Sequence, residues 1–374
     1  YEQFGGGIAA LDYNRDGHVD YYFPQSAGAP LKQEGAQANL LYSQIDNQFV
    51  NVTVAASADD RGYGLGVAVG DLNQDGFDDL VVCNFGRNTV LINQGDGTFR
   101  HANLGSVWNE QDWTSSIAIA DLNGDALPDV MEVNYLDDPA VFDVPPRNEQ
   151  GRYTVFRGPE SYRPAIDRML FQNQDSSWDA NLLSTQETAS PGLGVVIANF
   201  DRSEGNECFV SNDTRPNSLW TRENDLWNDT AKLRGCAYSA RGGSGASMGI
   251  AAADFDQNGQ LDLHVTNFYN EPVHFYKQQR NGMYVDSVVA ANLHRDSMPV
   301  LGFGTTAIDF QNDGEMDLAV LNGHIEDLRF RNAPFKMKPQ LFVQHDGRFE
   351  LRSASVLSQE HDNYFETPSL GRGL

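Results

Sequence analysis

The chain has 374 residues, with 26 Lys and Arg against 52 Asp and Glu, for a formal net charge of -26. That balance argues against a nucleic-acid backbone or an anionic membrane surface as partner, and no apolar run reaches the roughly 18 residues of a membrane span. Three cysteines form no CxxC pair and no disulfide framework; Cys83 and Cys208 lie in apolar runs and read as buried thiols, with a Cys208–Cys236 bridge left open.

Along the chain one phrase recurs six times: a short run of small apolar residues, an acidic turn, and a second apolar run. Its acids fall at positions 1, 3, 5 and 9 of the turn. The first copy has Asp12, Asn14, Asp16, Gly17 and Asp20; the second Asp71, Asn73, Asp75, Gly76 and Asp79. The third has Asp121, Asn123, Asp125 and Asp129, with Ala126 in place of the glycine. The fourth is degenerate, with Asn199, Asp201, Ser203 and Glu207. The fifth has Asp254, Asp256, Asn258, Gly259 and Asp262, and the sixth Asp309, Gln311, Asp313, Gly314 and Asp317.

This spacing converges hard oxygen ligands on one point around a glycine bend, and six to eight oxygens is what Ca²⁺ accepts. An EF-hand begins alike but needs a bidentate Glu at position 12 and helical flanks; here the acid comes at 9 and the flanks are strands. A solvated acidic turn is the plain alternative for one copy, and several copies in register argue against it. The sequence therefore predicts about five Ca²⁺ sites, at the well-formed turns. Fifteen of the chain's acids would sit in them, and five divalent ions would neutralise part of that charge.

Turn starts are separated by 59, 50, 78, 55 and 55 residues. Repeats near 40 to 50 residues with about four strands each are the mark of β-propeller blades. Five residues before each turn stands Gly or Ser (Gly7, Gly66, Ser116, Gly194, Gly249, Gly304), as innermost strands crowded about an axis require. The second strands, such as Leu80 to Cys83, read as continuous apolar runs covered on both faces. Third strands are expected at Asn39 to Ser43, Asn88 to Asn93, Arg168 to Asn173, Asn217 to Thr221, Val273 to Lys277 and Lys338 to Gln344, with an outer strand after each and little helix.

The predicted fold is thus all-β, one domain over 1–374, a propeller of four-stranded blades at about 1–60, 61–110, 111–188, 189–243, 244–298 and 299–357. The stretch 366–374, with Gly373 in the Gly/Ser register, reads as the opening of a seventh blade; a closed six-blade ring is the alternative. A start at Tyr1 without Met suggests trimming from a longer precursor.

The turns resemble FG-GAP or VCBS repeats. The fuller phrases Ser247-Met248-Gly249-Ile250-Ala251-Ala252-Ala253-Asp254-Phe255-Asp256, Val210-Ser211-Asn212-Asp213-Thr214-Arg215-Pro216-Asn217, Val265-Thr266-Asn267-Phe268 and Leu321-Asn322-Gly323-His324 are similar to the ASPIC/UnbV group of cartilage acidic protein-like chains. The resemblance implies a secreted, periplasmic or cell-surface calcium-binding propeller, usually seven-bladed, related in architecture to the integrin α head. It departs at the degraded fourth turn and at the absent C-terminal ASPIC/UnbV segment.

Thirteen residues after each turn start stands an amide (Gln25, Asn84, Asn134, Asn212, Asn267, Asn322), at the end of the second strand and on the face opposite the turns. Such amides close turns on their own backbone; as a ring around the channel mouth, Asn84, Asn134, Asn212, Asn267 and Asn322 would suit a hydroxyl-rich ligand. The same face gathers two long insertions. Tyr135 to Asp167 carries Arg147, Arg152, Arg157, Tyr162 and Arg163, and His324 to Lys338 carries Arg329, Arg331, Lys336 and Lys338.

Glu132 occupies a register held by Phe23, Val82, Val210, Val265 and Val320 elsewhere, so its carboxylate needs a partner, expected as an insertion arginine. His264 reads as packing and His324 as a loop residue. No GxSxG elbow, phosphate loop or HExxH site is present. The expected function is binding of a protein or glycan partner, with no nucleic acid and no membrane insertion. The enzymatic alternative is a polysaccharide lyase or sugar dehydratase using Glu132, Tyr135, His324 and Arg157.

Overall fold

A computed structural model describes residues 5–32, 34–143, 157–327, 329, 332–352 and 364–373. The chain folds as six successive four-stranded antiparallel meanders, in each of which sequence neighbours pair. The first strands are Ala9–Leu11, Gly64–Gly70, Asp112–Ala120, Gly192–Ala198, Ile250–Ala253 and Gly302–Ile308. The second strands are Asp20–Phe23, Asp79–Gly86, Asp129–Asn134, Glu207–Asn212, Asp262–Val265 and Asp317–Asn322. Third strands fall within about two residues of the expected bounds, for example Thr89–Asn93 and Ser218–Glu223. Helix is confined to single turns such as Ala231–Arg234 and His294–Ser297.

The second strands are the most buried elements, and every residue of Asp79–Gly86 is buried. Each sheet is sandwiched by its neighbours, so both faces of this strand must be apolar, which explains the unbroken Leu80-Val81-Val82-Cys83 run. Outer strands such as Gln48–Asn51 are exposed throughout. The core is therefore a set of layers between adjacent sheets. One joins Tyr22 and Leu41 of the first sheet to Leu80, Leu91 and Phe99 of the second; another packs Phe255, Phe275 and Phe349 edge to face.

The innermost strands touch in sequence order around an axis. A Cβ on Gly7 would lie 3.1 Å from the Gly66 Cα, a tight contact, and one on Gly249 would overlap the Phe303 carbonyl oxygen, so a side chain at Gly249 would force a backbone shift. Hydroxyls bind the ring at the same level: Ser115 Oγ donates to Gly192 O at 2.7 Å, and Thr266 Oγ1 to Phe303 O at 2.7 Å. Residues 370–373 run between the sixth sheet and the first. Gly304 N donates to Arg372 O at 2.7 Å, Gly371 N to Asn322 O at 3.0 Å, and a Cβ on Gly373 would lie 3.0 Å from the Gly7 Cα.

One feature differs from expectation, and the reading of Cys83 and Cys208 as buried thiols holds. The second and third sheets are continuous, because Phe85 and Gly86 extend the second strand far enough to pair with Trp113 and Asp112. All three cysteines are free and buried, so the Cys208–Cys236 bridge does not form.

Candidate functional site

The six acidic turns lie at one end of the ring, and five of them share one backbone shape. Position 4 is left-handed in each: Arg15, Gln74, Arg202, Gln257 and Asn312 have φ between 54° and 67°, and Gly124 has 83°. Position 6 is left-handed in the five well-formed turns, at Gly17, Gly76, Gly259 and Gly314, and at Ala126 with φ 66°. A Cβ in that conformation costs about 1–2 kcal/mol, which is why Gly is the usual residue.

Side chains then fold the turn inward. Asp71 Oδ1 accepts from Asp75 N at 3.0 Å and Oδ2 from Gly76 N at 2.7 Å, and Asp12, Asp121, Asp254 and Asp309 bind the equivalent amides. Position 3 takes part: Asn73 Oδ1 accepts from Asp75 N at 3.1 Å, as Asn14 and Asn123 do from Asp16 and Asp125. Gln311 Nε2 donates to Asp313 Oδ2 at 3.2 Å. At position 5, Asn258 Oδ1 accepts from Gln260 N at 2.8 Å.

The position-9 acids Asp20, Asp79, Asp129, Asp262 and Asp317 are fully buried. Asp79 Oδ2 accepts from Leu72 N at 2.9 Å and Oδ1 from Asn93 N at 2.8 Å, stapling the turn to the third strand. Burial pushes the Asp79 and Asp129 carboxyls up to about 6 and that of Asp262 to about 7; backbone N–H groups oppose the shift, and the acids at positions 1 and 3 or 5 of the same turn reinforce it. Three mutually repelling carboxylates and an oxygen-only donor set fit a small hard cation such as Ca²⁺.

The fourth turn solves the same problem with an amide. Asn199 Nδ2 donates to Ser203 O at 2.7 Å and to Gly205 O at 3.3 Å, placing N–H groups where its siblings gather carboxylates. Glu207 keeps the position-9 role, accepting from Phe200 N at 2.6 Å. In the fifth turn Lys277 Nζ lies 2.9 Å from Asp256 Oδ2, a cation of the protein's own beside the site. In the sixth, Glu315 and His345 join Asp313, their ligand atoms all within 4.8 Å of one another.

Sequence spacing gave no hint of how the turns connect. The position-4 side chain of one turn reaches the position-6 carbonyl of the next: Gln74 Nε2 to Ala126 O at 2.7 Å, Arg202 to Gly259 O at 2.8 Å, and Gln257 Nε2 to Gly314 O at 2.9 Å. Arg15 instead lies 4.1 Å over the Phe77 ring of the second turn.

On the opposite face the amides are interior groups. Asn84, Asn134, Asn212, Asn267 and Asn322 are all buried, and each Nδ2 donates to a carbonyl at the start of the third-strand segment: Arg87, Ile166, Pro216, Pro272 and Lys338. They close turns, so a ring of amides presented to a ligand is not what the structure shows.

Glu132 is inaccessible and pairs with Arg168, Oε2 to NH2 2.6 Å, with Asn88 Nδ2 donating to Oε1 at 2.8 Å from the second sheet. The partner is the first residue of the third strand, directly across the ladder, and not an insertion arginine. Burial raises the Glu132 carboxyl and Arg168 opposes that shift.

The other catalytic candidates sit apart. Tyr135 Oη donates to Asp213 at 2.7 Å, and burial pushes that Asp213 carboxyl up to about 6. His324 is buried, packs edge-on against Phe268 and Tyr269, and accepts at Nδ1 from Glu326 N at 3.1 Å. Arg157 is exposed. His264 is buried against Thr305, with 3.0 Å between Nδ1 and Oγ1.

The insertion cations are locally paired, Arg163 with Asp137, Arg329 with Asp327 and Lys338 with Glu366; Arg147, Arg152 and Arg331 lie outside the described residues. A groove of about 460 Å³ opens on this face between the first and second sheets.

Residues 12–82 and 71–131 match the family model of the FG-GAP-like repeat. The chain carries FG-GAP-like repeats. It matches no curated protein. Among solved structures it is similar to an Agrocybe aegerita lectin that recognises non-reducing terminal N-acetylglucosamine, at 12% identity and a TM-score of 0.49 over 93% of this chain and 80% of the other. It is also similar to BBS1N in complex with ARL6DN, at 8% identity and a TM-score of 0.49 over 91% and 79%. A third is a mutant Aleuria aurantia lectin in complex with α-methyl-L-fucoside, at 11% identity and a TM-score of 0.44 over 92% and 94%. Likeness at this level says nothing about what this chain binds. No helix among the described residues is long and apolar enough to cross a membrane.

Proposed function

We propose that the protein is a calcium-stabilised propeller that works outside the cytoplasm as a binding module for a glycan or protein, engaging its partner on the face opposite the acidic turns. The observation that carries this is the recurrence of three acidic side chains at fixed positions in each of five turns of one backbone shape, where they repel one another, beside a fourth turn of the ring that closes with an amide. Bound calcium supplies the positive charge that cancels the repulsion among Asp71, Asp75 and Asp79 and their equivalents. The chain's own part is to hold those oxygens in place through position-1 and position-9 hydrogen bonds. Kinship with the ASPIC/UnbV group belongs to this proposal and rests on the phrases around Asp254, Asn212, Asn267 and His324.

Binding is favoured over catalysis because Glu132, Tyr135 and His324 each sit in a separate buried neighbourhood, with polar partners already supplied. The test is to present calcium-loaded protein to immobilised glycans and extracellular proteins, and in parallel to follow acidic polysaccharides for the ultraviolet absorbance of unsaturated products. Retention without product formation is expected; product formation would replace this reading with a lyase.

A further inference from the structure

The groove between the first two sheets has a character at odds with the rest of the molecule. On a chain of net charge -26, it is lined by Arg61, Arg87 and His101, all exposed, against a single acid, Asp60. Asp60 is buried behind the wall and satisfied there: Thr89 Oγ1 donates to Oδ1 at 3.0 Å, and Asn84 Nδ2 to Oδ2 at 3.2 Å. Neither the Arg61 nor the Arg87 guanidinium has a hydrogen-bond or ion-pair partner among the described residues, unlike Arg163, Arg168 and Arg329. Two unpaired guanidiniums beside a sequestered acid leave the groove locally positive.

The remaining wall is apolar and amide-bearing. Leu31 projects at the groove with 51% of its surface exposed and a left-handed φ of 65°, an expensive conformation for a large apolar residue. Tyr63 and Phe85 line the same space, as do Asn103 and Gln111. Its volume of about 460 Å³ lies within the range of small-molecule sites, roughly 300–1,000 Å³.

We infer that this groove binds an acidic oligosaccharide, its carboxylate or sulfate held by Arg61 and Arg87 and a ring face laid on Leu31. Guanidinium forks match both anions, and amides match hydroxyls. An extended acidic peptide is the weaker fit, because it binds best by adding to a free strand edge. The strand beneath the groove, Thr89–Asn93, is already paired on both sides. This inference rests on the binding-module reading and gives it a place and a ligand class.

The experiment is calorimetry of the calcium-loaded protein at low salt with oligogalacturonate, hyaluronan and chondroitin sulfate fragments, a methyl-esterified oligogalacturonate, and polyglutamate. At least one acidic saccharide should bind, with affinity falling as salt rises. The neutral ester should bind far more weakly, and Arg61→Gln or Arg87→Gln should each lose about tenfold or more in affinity. Both arginines are exposed, so unchanged thermal unfolding of the variants verifies that the fold is intact. The inference is overturned if no acidic saccharide binds, if ester and acid bind alike, or if polyglutamate binds better. Binding that survives the Arg61→Gln/Arg87→Gln double variant would also overturn it, since calcium bridging at the turns would behave that way. If the saccharides fail while other glycans or proteins are retained, the groove assignment falls and the binding-module reading stands.

Discussion

On one face of the ring the same nine-residue turn recurs with positions 4 and 6 left-handed and position 9 buried, whereas on the other each sheet is finished differently. There the connections range from the short Arg87-Asn88 link to the excursion that begins at Tyr135. Within each copy the turn face is shaped by bonds spanning two to seven residues, such as Asp71 to Asp75 and Leu72 to Asp79, and longer bonds such as Gln74 to Ala126 tie one copy to the next. The opposite face has local turn-closing bonds such as Asn84 to Arg87 as well, and adds to them individual bonds between distant residues, such as Asn88 to Glu132 and Tyr135 to Asp213. Local bonds can be copied from blade to blade; distant ones must be found separately for each. The fourth turn departs from the copied shape at position 6, and there Asn199 Nδ2 supplies the donors internally.

The largest expected effect lies on the turn face. With about 10 mM calcium and affinities of about 10⁻⁴ to 10⁻³ M, each of five ions would stabilise the fold by about 1.4–2.7 kcal/mol, roughly 7–14 kcal/mol together. Chelation should therefore lower the denaturant midpoint sharply, and superimposable unfolding curves with and without chelator would break the contrast between the faces.

Next is Glu132→Gln on the opposite face. It leaves Arg168 with the longer contact to Asp112, at 3.5 Å, as its remaining ion pair and should cost about 3 kcal/mol in chemical denaturation. Replacing both residues by Met should recover most of that loss. A single variant no less stable than the double would show that the pair contributes nothing.

Acid should then act on the buried histidines between sheets. Burial lowers His264 to about 3 and His274 to about 4, below the unfolded value near 6.5. Their neutral forms are needed by the fold, so stability is intact above pH 6.5 and falls as pH drops towards 4, by roughly 2–3 kcal/mol per ring. With calcium kept saturating, His264→Asn should flatten the pH dependence of unfolding; an unchanged slope would remove this ring from the account.

The smallest effect is Ala126→Gly. The left-handed φ of 66° at Ala126 is relieved by glycine, partly offset by the freer unfolded chain, for a net gain of about 0.5–1 kcal/mol in denaturant titrations. The same substitution at an ordinary surface alanine should destabilise.

Much of the turn face was legible in the sequence because its signals are periodic. Gly66, Asp71, Gly76 and Asp79 recur at fixed offsets, and the apolar second strands sit where those offsets place them. The opposite face was legible only in part. The oddity of Glu132 stood out, yet its partner proved to be Arg168 across the ladder, since pairing registers are set by strand alignment and not by insertion length. The amides at Asn84 and Asn134 were placed correctly at strand ends, and the expectation that such amides close turns holds, with their Nδ2 groups bound to the Arg87 and Ile166 carbonyls. The bridges from Gln74 to Ala126 and from Gln257 to Gly314, and the approach of His345 to Asp313, join separate segments and left no mark in local pattern.

Calorimetric titration of metal-stripped protein with calcium addresses the turns most directly. About five ions per chain should be taken up, and Asp71→Asn with Asp75→Asn should remove one of them while Asp201→Asn in the fourth turn removes none. No uptake at millimolar calcium, or equal loss from the second and fourth turns, would contradict the account.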